Sequence, residues 1–336
     1  MYKNILVIGH SNIGDVCYDL AVIDPLSKAF PGSRISFITS SVSIGLVRGY
    51  PGIDSIITFD RHSKDKGFLG RLRFTRMLQR QKFDLVVVLC ATYMQVFLGS
   101  ADAWCVKKRS RVDKVAGPRH VVDVYLALLK ANGVDVPGPV FNFNFTPEEN
   151  RFADDFVRDN KISSGDVLIG ILPLSNWSLK CWYVENWNKL SKALAAAHKA
   201  KIIVFGKSSN DPYVREAVAK ISPELISAID KTTLRQSLAL IKRCGLFISA
   251  DTSFLHFASC LGVPCIGLFG ATAETHYYPY FSRDGIIKSP EPLWCMPCGG
   301  SRHFAVCKAK DGLAPCMEAI TVDAVLDRAG KLLKKV

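Results

Sequence analysis

The chain has no long uninterrupted apolar run. Its most apolar region, residues 85–103, is broken by Thr92, Gln95 and Asp102, and it reads as a buried strand followed by a helix rather than a membrane span. The graded charged, apolar and cleavage regions of a secretory signal are missing too. Met-Tyr-Lys-Asn leads straight into an apolar strand, so cytoplasm is the expected compartment. No G-x-G-x-x-G follows the first strand of either half, which argues against a dinucleotide-dependent oxidoreductase. No zinc-finger spacing or RNA-binding aromatic motif accompanies the basic residues, so no nucleic-acid partner is expected.

What is present is a 336-residue chain with 49% hydrophobic residues, enough for two domains with a core each. The formal charge of +13 is uneven. Arg71, Arg73, Arg76, Arg80 and Lys82 form one basic run and Lys107, Lys108, Arg109, Arg111 and Lys114 another, both in the first half. Such a field attracts polyanions, although a solvated helix face has the same composition. Eleven cysteines in a reducing compartment predict thiols, with any cluster a metal or redox site rather than a disulfide frame.

Short β-branched runs alternate with amphipathic stretches. Strands are expected at 4–8, 34–38, 55–59 and 85–89, with helices at 16–30, 42–49, 69–81 and 120–131. Pro137, Gly138 and Pro139 mark a hinge in 133–145. The pattern restarts at Thr146-Pro147-Glu148-Glu149, a helix start with proline at its first position. Strands follow at 167–171, 201–205, 225–230, 244–248 and 263–268, with helices at 184–198, 212–221, 234–242 and 322–333. Alternation of this kind predicts two parallel sheets covered by helices, one in residues 1–145 and one in 146–320, then a terminal helix in 321–336. Two such halves on one linker imply a ligand cleft between them.

Three loops carry candidate chemistry. Ile248-Ser249-Ala250-Asp251-Thr252-Ser253 ends one strand and opens a helix, delivering a carboxylate, hydroxyls and unpaired backbone N–H groups to one place. The N–H groups and helix dipole suit phosphates, while the carboxylate suits sugar hydroxyls; simple helix capping is the other reading. Gly9-His10-Ser11-Asn12-Ile13-Gly14-Asp15 has an acid where a Walker-type loop needs lysine, which would repel phosphate but serve as a general base. Asp15 as a plain first-turn acid is the alternative. In 173–182, Lys180 can neutralise a diphosphate leaving group and Ser175 can donate to it, with Asn176 alongside, while Trp182 is expected to pack beneath the helix.

Together these segments resemble a known family. Asn12-Ile13-Gly14-Asp15-Val16, Lys180-x-Trp182, Asp251-Thr252-Ser253-x-x-His256, Gly262-x-Pro264 and Phe269-Gly270-Ala271-Thr272 are similar to the motifs of family 9 glycosyltransferases, the heptosyltransferases. The likeness includes Arg119-His120-x-x-Asp123-x-Tyr125 and covers nearly the whole chain. It implies a GT-B fold, two Rossmann-like α/β domains whose parallel sheets face a cleft, and inverting transfer needing no catalytic cofactor. Asp15 would be the base on the acceptor hydroxyl. Ser175, Asn176 and Lys180 would contact the donor, Asp251 would grip sugar hydroxyls, and the amides of Thr252 and Ser253 would hold the pyrophosphate. His256 would touch the site or fix its helix.

The implied donor is a nucleotide sugar, ADP-heptose by family, and the implied acceptor an anionic lipid-linked saccharide of the lipopolysaccharide core type, met peripherally at the inner membrane face. Members often bind ribose through Gly-Gly-x-x-Glu after the second strand of this half. Here Gly206-Lys207-Ser208-Ser209-Asn210-Asp211 has no Glu, leaving Asn210 or Asp211 as substitutes. Cys295, Cys298, Cys307 and Cys316 form a C-x2-C-x8-C-x8-C array that can be read as a structural zinc or iron site, as in the related autotransporter heptosyltransferases, or as free thiols. Transfer to a protein hydroxyl, or a non-catalytic carbohydrate-binding relative, are the competing functions.

Overall fold

A computed structural model describes residues 2–61, 63–106, 119–175, 177–208, 212–291, 293–296, 298, 307 and 314–334. The chain divides into two compact units, Met1–Asn144 and Phe145–Val336. Among the described residues, no helix is long and apolar enough to cross a membrane.

The first unit is a five-stranded sheet of β1 (Asn4–Ile8), β2 (Arg34–Thr39), β3 (Ser55–Thr58), β4 (Leu85–Val88) and β5 (Asp102–Cys105), in the order β3-β2-β1-β4-β5. Every pair is parallel. The cause is visible in the sequence, because β1 and β4 are continuous apolar runs, as strands covered on both faces must be. Leu6, Ile8, Ile38, Val86 and Val88 share a core with Phe74 and Leu78 of the helix Gly67–Gln79. The single helix expected over 16–30 is instead Ile13–Asp19, a 3-10 turn at Leu20–Val22, and Ile23–Ala29. The helix expected in the region up to residue 103 is replaced by a 3-10 turn, Met94–Phe97, and the edge strand β5, which pairs in parallel with β4.

The second unit contains β6 (Val167–Leu172), β7 (Ala200–Val204), β8 (Ile226–Ser227), β9 (Leu246–Ala250), β10 (Cys265–Phe269) and β11 (Ile286–Lys288), in the order β11-β10-β9-β6-β7-β8. All pairs are again parallel. The expected strand at 225–230 is cut to Ile226–Ser227, whose ladder ends with Val204, the last residue of β7. Thr146 and Glu149 form a capping box on Pro147–Asp159. The terminal helix Val322–Leu333 is part of this unit: Val325, Ala329 and Leu332 lie in one core with Trp182, Trp187, Leu190 and Leu194.

In each sheet the chain winds outward from the first strand in one direction, then returns to wind in the other. The reversal falls between β1 and β4 in the first unit and between β6 and β9 in the second. Parallel sheets open a crevice at that point, beyond the carboxyl ends of the strands. Both fingerprint loops, the one after β1 and the one after β9, leave from such positions.

Candidate active site

At the reversal in the second unit, the loop after β6 ends in the 3-10 turn Ser178–Lys180, and β9 delivers Asp251 opposite it. Lys180 Nζ donates to Asp251 Oδ2 at 2.6 Å and to the Asp251 carbonyl at 3.2 Å. Thr272, from the loop after β10, donates its hydroxyl to the same Oδ2 at 2.7 Å. His256 Nε2 lies 3.3 Å from Oδ1. Three successive strand ends and one helix therefore converge on one carboxylate. Burial alone would raise the Asp251 pKa; the hydrogen bond and charge of His256 and the Lys180 ammonium outweigh it and hold the carboxyl well below the usual carboxylate range. Asp251 is ionised at neutral pH, and its anion and the adjacent cation are fixed features of the site.

Asp251 is followed by the helix Ser253–Cys260, whose N-cap Thr252 makes no side-chain capping bond. Its hydroxyl instead pairs with Ser249 Oγ at 2.8 Å. Simple capping is thus not what Asp251-Thr252-Ser253 does here. The amino end of this helix retains the N–H character that binds anions, beside a lysine. His256, buried on the same helix, touches Asp251 directly, so it orients the carboxylate.

The other expected residues divide three ways. Ser175 Oγ accepts the Trp177 amide at 3.2 Å, shaping the loop that carries Lys180. Asn176 and Asn210 lie outside the described residues. Trp182 is fully buried, donates to the Ile320 carbonyl at 2.9 Å and meets Trp187 edge-on, as expected of a packing residue. The loop after β7 is tied by Asp230, whose two oxygens accept from the Ser208 amide at 3.0 and 3.3 Å.

In the first unit, Asp15 lies in the first turn of Ile13–Asp19 and accepts from Asn12 Nδ2 at 3.2 Å. The preceding loop is clamped: Thr39 Oγ1 donates to the His10 carbonyl at 3.0 Å, and Ser40 and Ser43 donate to the Ser11 carbonyl at 2.6 and 3.0 Å. A feature missed in the sequence is buried Asp19, which accepts the His10 amide at 2.6 Å and pairs with His10 Nδ1 at 2.9 Å. The only sequence signal for it was an acid at a helix position otherwise apolar on both sides. Gly9 is required here, since a Cβ would stand 2.6 Å from Phe37 Cζ and 2.8 Å from Asp19 Oδ2.

The four cysteines do gather. Cys298 is pushed up by burial and by Cys307 and Cys295, and Cys316 is pushed up to about 11 by burial and by Cys298, Cys295 and Cys307. Yet among the described residues no group of three or more His, Cys, Asp or Glu is arranged to hold a metal ion. Cys298 and Cys316 belong to the apolar core beside Met317 and Ala314, which favours the uncharged form.

Comparison with known proteins bears on the family and the fold. The chain is 27% identical to the lipopolysaccharide core heptosyltransferase OpsX of Haemophilus influenzae, over 85% of this chain and 84% of that protein. Its fold is similar to that of a family 9 glycosyltransferase from Veillonella parvula, with a TM-score of 0.82, 20% identity and coverage of 99% and 98%. It is also similar to the Escherichia coli ADP-heptose lps heptosyltransferase II, with a TM-score of 0.72, 20% identity and 99% of each chain covered. These likenesses support two Rossmann-like α/β units of the GT-B type. Because the sequence model of glycosyltransferase family 9 (heptosyltransferase) matches residues 71–305, well over half its length, the chain belongs to that enzyme family.

Proposed function

We propose that the chain moves a heptose from ADP-heptose to a hydroxyl of a lipopolysaccharide core-type acceptor, with inversion at the anomeric carbon. The second unit holds the donor and the first holds the acceptor. Asp15 takes the proton from the acceptor hydroxyl as the acceptor oxygen bonds to the anomeric carbon. The bond from that carbon to the diphosphate breaks, and its electron pair leaves on ADP. Lys180 and the amides of Thr252 and Ser253 take up the charge that develops on the leaving phosphate. Ionised Asp251 accepts hydrogen bonds from heptose hydroxyls, with Thr272 and His256 keeping its oxygens in place.

The observation that carries this reading is the 2.6 Å contact of Lys180 with Asp251, beside a helix start that no side chain caps. A cation for the diphosphate, an anion for the sugar and backbone donors between them are what a nucleotide sugar presents in complement. The ADP-heptose named for the Escherichia coli structural relative supports the donor's identity, and the lipopolysaccharide core named for the Haemophilus influenzae relative supports the acceptor's. No step calls on a metal, because lysine and helix amides supply the positive field.

A thermal-shift panel of ADP-, UDP-, GDP- and TDP-sugars tests the donor, since a ligand bound only by the folded state raises the melting point. ADP-heptose should give the largest rise; equal rises from all four would overturn the nucleotide assignment. Nuclear magnetic resonance of the product reads the stereochemistry, with retained anomeric configuration excluding single displacement by an acceptor that Asp15 activates.

A further inference from the structure

A second concave site opens in the second unit, away from Lys180 and Asp251. Its volume is about 720 Å³, and it lies between the helix Val184–His198, the first residues of β7 and β8, and the turn that leads into β8. Ala200 and Ile226 begin their strands, whereas Lys180 and Asp251 follow the ends of β6 and β9, and all these strands run parallel. The two sites are therefore on opposite edges of one sheet, which a five-residue strand such as β7 separates by about 16 Å. Asn188, Ser191, Lys192 and Ala195 recur at helical spacing, so one helix face forms a wall. The facing turn is pinned to it: Asn188 Oδ1 accepts the Ser222 amide at 3.0 Å, and Asn188 Nδ2 donates to the Lys220 carbonyl at 2.8 Å. Buried Ala200 and Ile202 line it with Leu225, giving an apolar floor. The concavity is thus built into the fold, as small-molecule sites are.

Two features of this cavity are not accounted for by packing. Ser191 lines it and is only 1% exposed, yet its hydroxyl has no hydrogen-bond partner among the described residues, although a helix serine can turn back onto the carbonyl one turn earlier. A buried hydroxyl left in that state is unfavourable until a ligand supplies the partner. Lys189, Lys192 and Lys201 stand at the exposed rim, and among the described residues none of them pairs with a carboxylate. Neighbouring Lys220, by contrast, is matched by Glu185 and Glu216. Glu224 is the one acid among the residues that line the cavity, so its field is positive.

We propose that this cavity is a second ligand site, separate from sugar transfer, for a small organic phosphate. The apolar body of the ligand rests on Ala200, Ile202 and Leu225, and its phosphate accepts a hydrogen bond from Ser191 Oγ among the three lysines. Both halves of the ligand are needed. A bare inorganic anion would leave the apolar floor uncovered, and a neutral apolar molecule would leave the hydroxyl and the cations unmatched.

The test is calorimetric titration of the full chain with phenyl phosphate, inorganic phosphate and benzyl alcohol. Phenyl phosphate should bind about tenfold more tightly than either of the others, because it alone covers the floor and meets the cations. Lys189→Gln with Lys192→Gln should raise its dissociation constant about fivefold, the worth of two exposed ion pairs. Ser191→Ala should raise it roughly tenfold, the worth of a hydrogen bond to a charged group. Since the Ser191 hydroxyl has no internal partner, Ser191→Ala should also leave the melting point equal or higher, which a structural role for that hydroxyl would not allow. Lys180→Ala, at the other edge of the sheet, should leave phenyl phosphate binding unchanged. No binding of phenyl phosphate, or binding untouched by both Ser191→Ala and the lysine double, would overturn the proposal. Binding lost only in Lys180→Ala would place the probe in the transferase site and overturn it equally.

Discussion

Lys180 and Asp251 are 71 positions apart in the chain and 2.6 Å apart in the fold. The contact exists because β6 and β9 are neighbours at the reversal of the sheet, so the loops that follow them open into one crevice. Neither charge is fully solvated: the side chains are 21% and 12% exposed, so each depends on the other. On the proposed reading, a pair held this way is a pre-arranged site for a ligand carrying both phosphate and hydroxyl groups.

Lys180→Ala should therefore weaken both folding and donor binding. Asp251 would keep Thr272 and His256 but lose its cation, at a cost of about 1–3 kcal/mol by urea unfolding. Donor affinity, read by calorimetry, should fall roughly ten- to hundredfold, the worth of a charge-assisted bond to phosphate. Loss of stability with unchanged donor affinity would assign Lys180 a purely structural role.

Acid should act on the same carboxylate. The folded pKa of Asp251 is depressed below its ordinary 3.8, so its contribution to stability is whole above about pH 4 and is lost as pH falls toward the folded value. Below pH 4 the wild type should lose up to about 1.4 kcal/mol per pH unit more than Asp251→Asn. Taking the difference cancels the other depressed acids, such as Glu149 beside Arg235. Parallel curves for the two proteins would contradict the ionised, paired state.

Gly9→Ala should destabilise the first unit by about 1–3 kcal/mol, the usual cost of an overpacked core. The added methyl would press on Phe37 and on the Asp19 oxygen that holds His10. Because the His10 and Ser11 carbonyls are clamped from β2 and the turn after it, the strain should pass to the Asp15 loop and lower turnover as well. Chemical unfolding and steady-state kinetics on the same preparation read both effects.

Much of this was legible in the sequence where local pattern decides. Strand 4–8 and helices 184–198 and 322–333 appear at the expected residues because their periodicity agrees with their packing. The edge strands β5 and β11 were not legible: Asp-Ala-Trp-Cys opens on an acid and is four residues long, Ile-Ile-Lys is three residues long, and each is a strand because a neighbour offers it a ladder. The Asp251 loop was readable as a strand end that opens a helix, but its bonds to Lys180 and Thr272 depend on which strand ends the sheet order brings together. The His10 contact with Asp19 escaped for a similar reason, since it forms only when the helix folds back over the loop. The cysteine spacing left a metal site and free thiols both open, and what the fold adds is that Cys298 and Cys316 lie in an apolar core.

The most direct test of the central claim is Asp15→Asn, measured for donor binding by calorimetry and for turnover with ADP-heptose and a heptose-acceptor saccharide. The substitution keeps the side chain's shape and its place beside Asn12 but removes the proton acceptor. The account predicts unchanged donor affinity and turnover reduced about 10²–10⁴-fold, the usual worth of a general base. Turnover within twofold of the wild type would contradict it.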